Sequence, residues 1–133
     1  MYISKFQRIK AVRKKTKKVD SIKLKLLRQS LYKRSIEYAD NRISVYSAQT
    51  GCCAVTGEKF TSTEEIHFHH KIPKSRGGTD EYQNLILVTA TVHKLIHATN
   101  AETIQKYLQA CKPNLKKLNV LRQLVGNKPL KVD

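Results

Sequence analysis

The sequence predicts an α+β domain in which a β-hairpin and a helix stand at the centre, flanking helices surround them, and a basic arm precedes them. Three observations carry that class. Glu65-Ile66-His67-Phe68-His69 alternates with period two, and Asn84 to Val88 is a short, nearly continuous apolar run; both are strand patterns. Directly after the second run, Val92, Leu95 and Ile96 recur at helical spacing. Charge is concentrated at one end: residues 1–35 hold 13 Lys/Arg against one acid, Asp20, whereas residues 36–133 hold 13 against nine.

Taken in order, Asp20-Ser21 is a candidate N-cap, followed by Ile22, Leu26, Leu27 and Leu31 near helical spacing. Asp40-Asn41 can open a helix through Ile43, Val45, Tyr46 and Gln49, with Gly51 as its stop. Cys52-Cys53-Ala54-Val55-Thr56-Gly57 reads as a short strand entering a glycine turn, and residues 65–69 form the next strand. Pro73 ends that pattern, and Ser75 to Asp80 is a loop in which Gly77 and Gly78 supply backbone freedom. Asn84 to Val88 is the third strand. Thr91 can cap a helix through Val92, His93, Leu95, Ile96 and His97, ending near Thr99-Asn100. Glu102 opens another with Ile104, Tyr107, Leu108 and Cys111 on one face, and beyond Pro113 a last amphipathic helix carries Leu115, Leu118, Leu121 and Val125. The chain divides into an arm at 1–35, a central domain at 36–100 and a helical extension at 101–133.

Composition narrows the function. With 133 residues, 40% hydrophobic, the chain can bury one modest core but not a two-domain enzyme with a large cavity. The longest aliphatic run, Leu85-Ile86-Leu87-Val88, is far short of the roughly 20 residues a bilayer span needs. The first residues are basic from Lys5 onward and lack the apolar stretch of a secretory signal, which points to the cytoplasm. Three cysteines, with Cys52 and Cys53 adjacent, are badly spaced for a disulfide framework; Cys52, Cys53 and Cys111 read as small buried residues.

The net charge is +16, of which +12 lies in residues 1–35. Arg13, Lys14, Lys15, Lys17 and Lys18 repel one another and have little to bury until a polyanion neutralises them, so a phosphate backbone is the expected partner. A membrane-surface helix is the other use of such a segment. Lys23 and Lys25 leave its apolar face narrow and no aromatic anchors it, so no membrane partner is expected.

All five histidines fall in two clusters, His67-Phe68-His69-His70 on a strand end and His93-x-x-x-His97 on a helix. Residues four apart on a helix share a face, so His93 and His97 can present two imidazoles to one cation. Strand alternation places His67 and His69 on one face. Two arrangements follow. In one, His67, His69, His93 and His97 close a tetrahedral structural zinc site, as in a non-catalytic module that binds nucleic acid. In the other, His69, His93 and His97 leave open positions, and His70, at the bend before Pro73, turns into the cleft as a general base. Spacing alone supports both.

The string His69-His70-Lys71-Ile72-Pro73-Lys74-Ser75-Arg76-Gly77-Gly78, then Asn84-Leu85, His93 and His97, resembles the HNH nuclease signature of the ββα-metal fold. The intervals of fourteen from His70 to Asn84, nine to His93 and four to His97 are close to those of colicin-type DNases. The wider stretch from Ile36 to about Leu124 is similar to the C-terminal endonuclease region of group II intron reverse transcriptases. The resemblance implies a DNA endonuclease that hydrolyses phosphodiester bonds to 5′-phosphate and 3′-hydroxyl ends. It makes His70 the general base and His69, His93 and His97 the ligands of one divalent ion, Mg²⁺ or Mn²⁺ in action with Zn²⁺ as an alternative. Asn84 would orient the loop and base, although some relatives use this position as a ligand. Lys74 and Arg76 would flank the phosphates, and His67 would brace a ligand or stand aside. The implied partners are double-stranded DNA and, from the intron likeness, intron RNA or a reverse transcriptase; an antibacterial toxin is a further possibility without a delivery domain to support it. Many relatives brace the fold with paired C-x-x-C zinc knuckles, but here Thr56 follows Cys53 at the matching place and Val92 stands where a cysteine often precedes the histidine, so no cysteine zinc site is expected.

Overall fold

A computed structural model describes residues 20–29 and 35–131. Arg13, Lys14, Lys15, Lys17, Lys18 and Leu31 lie outside the described residues. The order is α1 (Ser21–Arg28), α2 (Ile36–Ala48), β1 (Ile66–His70), β2 (Leu85–Thr89), α3 (Ala90–His97), α4 (Ala101–Ala110) and α5 (Leu115–Leu124), with single 3₁₀ turns at Thr63–Glu65, Lys74–Arg76 and Tyr82–Asn84. The class is α+β, as expected. Among the described residues no helix is long and apolar enough to cross a membrane.

Asp20 caps α1 through the backbone N–H groups of Ile22 and Lys23, and its second carboxylate oxygen accepts a 2.8 Å hydrogen bond from the Tyr46 hydroxyl on α2. One cap thereby fastens two helices. α2 starts earlier than the predicted Asp40, because Ser35 supplies the cap, accepting from Tyr38 N–H at 3.0 Å. Asp40 and Asn41, which resemble a cap in sequence, are instead buried within the helix. The stop falls one residue before the predicted Gly51: Gln49 is the C-cap and Thr50 takes the left-handed C′ position at φ +55°, while Gly51 follows at φ +69°, where a Cβ would come within 2.9 Å of the Tyr46 hydroxyl.

The predicted strand at Cys52–Gly57 is not formed. Cys52 makes one isolated bridge to Lys59, and the rest is a tight turn in which Cys53 N–H donates to Glu58 C=O and Gly57 N–H to Cys53 C=O. The apolarity there reflects burial: Cys53 and Val55 belong to the core, while the Cys53 backbone bonds within its own loop and Val55 C=O accepts from Asn114 N–H at 2.9 Å. Gln49 and Ala54 satisfy the open edge of β2 instead. The Gln49 amide both donates to Leu87 C=O (2.9 Å) and accepts from Leu87 N–H (3.0 Å), and Ala54 N–H donates to the same carbonyl at 3.1 Å. A side-chain amide thus does the work of a third strand.

β1 and β2 pair antiparallel, with Ile66 opposite Thr89, Phe68 opposite Leu87 and His70 opposite Leu85. Each strand is displaced by one residue from its predicted bounds, so His70 ends β1 and does not sit in the bend after it. Thr89, not Thr91, caps α3, accepting from Val92 N–H at 3.3 Å, so strand and helix join without a linker. Asn100 and Asn114 cap α4 and α5. The buried cluster unites Tyr38, Ile43, Val45 and Tyr46 of α2, Leu85, Leu87 and Val88 of β2, Val92, Leu95 and Ile96 of α3, and Leu118 and Leu121 of α5. Cys53 and Val92 lie within it, packed among apolar side chains. Cys111 is buried, and Cys52 is half-buried.

The C-terminal extension closes the far end of α3. The last carbonyls of a helix lack partners within it. Here the buried Arg122 guanidinium donates to Leu95 C=O and, at 2.8 Å, to Ala98 C=O, while Asn127 Nδ2 donates to Ile96 C=O at 2.8 Å. The Arg122 Nε also donates to Lys128 C=O at 2.8 Å, which pins the turn that follows α5. Replacing Arg122 with Leu takes this donor from the carbonyls of Leu95, Ala98 and Lys128 and should lower the unfolding free energy by about 2–3 kcal/mol. Urea unfolding of wild-type and Arg122→Leu chains measures this, and a loss below about 0.5 kcal/mol would mean that water reaches α3's end freely.

Candidate metal centre

Strand parity and one helical turn build the site. On β1, His67 and His69 leave one face and Phe68 and His70 the other. His69 is 3% exposed. Because α3 follows β2 directly and packs against β1, His93 and His97 come to face His69. The three rings meet edge to face, with centroids 5.3 Å apart for His69–His93, 5.4 Å for His69–His97 and 4.8 Å for His93–His97. One ligand nitrogen from each lies within 4.8 Å of the others.

The electrostatics match a cation site. His69 Nε2 is buried and has no hydrogen-bond partner, which ordinarily costs about 1–3 kcal/mol. Burial pushes the His69 imidazole down to about 3, helped by the charges His93, His97 and His70 would carry. His93 is pushed down to about 4, again chiefly by burial and then by His97 and His67. Both rings therefore offer neutral lone pairs near pH 7. A buried nitrogen without a partner, on a ring that meets the rings of His93 and His97, fits a divalent ion better than it fits any protein donor. The converging set among the described residues is His69, His93 and His97. His67 stands beside it, its ring centroid 5.1 Å from that of His93 and tilted by 33°.

His70 occupies different ground. On the opposite strand face, its ring stacks parallel to Tyr38, with centroids 6.2 Å apart and planes 6° apart. The Arg42 guanidinium lies over both Tyr38 and Phe68. His70 Nε2 is 2.8 Å from Asp80 Oδ1, a contact the sequence reading does not contain. Asp80 closes the loop between the strands, where aspartate is an ordinary turn residue, so no spacing marked it out.

Asn84 is consumed by that loop. Its Oδ1 accepts from Ile72 N–H at 2.8 Å, and its Nδ2 donates to Ile72 C=O at 3.1 Å and Thr79 C=O at 2.9 Å. Both ends of the loop are thus tied to one amide. Gly78 allows the closure, since a Cβ there would sit 1.8 Å from Ile72 C=O. The Lys74 ammonium is 3.2 Å from the Asp80 carboxylate. Arg76 is exposed and rests against the turn after α5, where a Cβ on Gly126 would come within 2.8 Å of its Nη2.

The depressed imidazoles make a pH prediction for the metal-free chain. Folding favours neutral His69 and His93, so the stability they contribute is fully present above the ordinary value of 6.5 and is lost as pH falls through about 4 and then about 3. Urea unfolding in chelator should show unfolding free energy declining from pH 6.5 to 5, before carboxylates titrate, and a His69→Gln/His93→Gln variant should lose most of that slope. A wild type equally stable at pH 7.5 and 5 would contradict the buried, neutral state of these rings.

Residues 53–99, the segment that contains His69, His70, Asn84, His93 and His97, match the family model described as HNH endonuclease. No curated protein and no solved structure matches the chain.

Proposed function

We propose that this chain is a metal-dependent endonuclease of ββα-metal architecture, built from β1, β2 and α3, that hydrolyses DNA to 5′-phosphate and 3′-hydroxyl ends. The observation that carries the proposal is the convergence of three imidazoles, with the buried Nε2 of His69 unpartnered, next to a separate histidine that already has a carboxylate partner. The match of residues 53–99 to the HNH endonuclease model supports the same chemistry.

A divalent ion held by His69, His93 and His97 would supply Lewis acidity toward the scissile phosphate and the leaving oxygen. An all-nitrogen donor set ranks Mn²⁺ and Zn²⁺ above Mg²⁺. His70 accepts the proton of the attacking water, and Asn84 holds the loop that positions it. The lysines and arginines of residues 1–35 contribute affinity for the phosphate backbone. The likeness of residues 36–124 to intron-encoded endonuclease regions favours the DNA target of a mobile intron as substrate. The approach of the His67 ring to His93 favours a second reading, a closed four-imidazole zinc module that binds nucleic acid without cutting it.

Supercoiled plasmid incubated with the full chain in Mg²⁺, Mn²⁺, Zn²⁺ or chelator separates the two. Cleavage should require the ion and stop in chelator. His70→Ala should keep metal affinity within a few-fold and lower the rate by about 10²–10⁴. His97→Ala should lose both metal and cleavage, while His67→Ala keeps both. A folded, metal-loaded wild type that never cuts, and a His67→Ala variant that releases its zinc, would establish the second reading instead.

A further inference from the structure

We propose that Asp80 is the positioning residue for His70, fixing its ring as the Nε2-protonated tautomer so that Nδ1 is the proton acceptor; this rests on the endonuclease reading. The geometry begins with the 2.8 Å contact between His70 Nε2 and Asp80 Oδ1. An ionised carboxylate can only accept hydrogen bonds, so the neutral ring must carry its proton on Nε2, and the lone pair is then on Nδ1.

Asp80 is itself held from outside its loop. Asn41, buried on α2, donates from Nδ2 to Asp80 C=O at 2.9 Å. Asn84 holds the preceding carbonyl, that of Thr79, also at 2.9 Å. The Lys74 ammonium lies 3.2 Å from the carboxylate. Both partners of the contact are largely shielded, with side chains 18% exposed for His70 and 19% for Asp80. Tyr38 then sets the plane of the ring, being stacked within 6° of parallel, and Asp80 sets the direction in which its nitrogens point. Two amides, one aromatic face and one carboxylate leave the imidazole a single orientation, the condition under which a general base is efficient. Lys74 has a defined role on this account without touching DNA.

Asp80→Asn is nearly isosteric but can turn its amide nitrogen toward Nε2, which would force the proton to Nδ1. A triad histidine deprived of its aspartate in this way loses about 10⁴ in rate. For this more solvated pair we expect a fall of about 10²–10³ in the single-turnover rate at saturating duplex DNA, with KM and Mn²⁺ affinity within about threefold. Asp80→Glu, which restores the carboxylate, should recover most of that loss. The readout independent of cleavage is long-range ¹H–¹⁵N correlation of the His70 ring at pH 8 in the full chain without metal. It should show protonated Nε2 and bare Nδ1 in wild type, and a mixture or the reversed tautomer in Asp80→Asn.

A wild-type His70 protonated on Nδ1 would overturn the proposal without any variant having to fold. So would an Asp80→Asn chain that cuts at the wild-type rate while wild type is active. A wild type with the Nε2 tautomer that fails to cut under every metal tested would sustain the Asp80 contact and remove the endonuclease reading.

Discussion

The register of β1 on β2 decides which histidine joins the imidazole cluster. With Ile66 opposite Thr89 and His69 opposite Ile86, the face of β1 that bears His67 and His69 turns toward α3, and His70 leaves on the other side. A slip of one residue would exchange the two, because side chains alternate with period two. Several contacts hold the register against that slip. Leu85, Leu87 and Val88 are buried, Lys71 N–H donates to Asn84 C=O at 2.8 Å just beyond the pairing, and the Asn84 amide ties the loop to itself. The residue that closes the loop therefore also sets the strands, and the strands set the candidate metal centre.

The second half of that centre depends on α3, a helix of 8 residues. So short a helix has little stability of its own. It is held at both ends: Thr89 caps its start at the end of β2, and Arg122 and Asn127 satisfy its last carbonyls from the C-terminal extension. Val92, Leu95 and Ile96 are fully buried on one side, which leaves His93 and His97 facing the strands. Apolar packing thus holds the helix in place. The extension is part of the scaffold of the site, although it contributes no ligand to it.

The histidine cluster was legible because its information is periodic: four residues along a helix and two along a strand each specify a face. Gly78 and Asn84 were legible through the motif they belong to. Asp80, Asn41 and Tyr38 were not, since each meets His70 or its loop only after the chain has folded, and an aspartate in a Gly-Gly-Thr-Asp turn looks like any other turn residue. The stretch Cys52–Gly57 failed for a different reason: a buried turn and a buried strand have the same apolar composition, and only the partner of each backbone group separates them. Gln49 shows this most clearly, because its side chain accepts from Leu87 N–H and shares Leu87 C=O with Ala54 N–H, where a strand at 52–57 would have paired through its backbone alone.

An open centre of three imidazoles is the claim on which the chemistry turns, and X-ray absorption spectroscopy of the metal-loaded full chain addresses it directly. With Mn²⁺ or Zn²⁺ bound at one ion per chain, the account predicts three imidazole nitrogens, oxygen atoms completing the shell, and a spectrum unchanged by His67→Ala. Four imidazole nitrogens in wild type, falling to three in His67→Ala, would contradict it and make the centre a closed structural one.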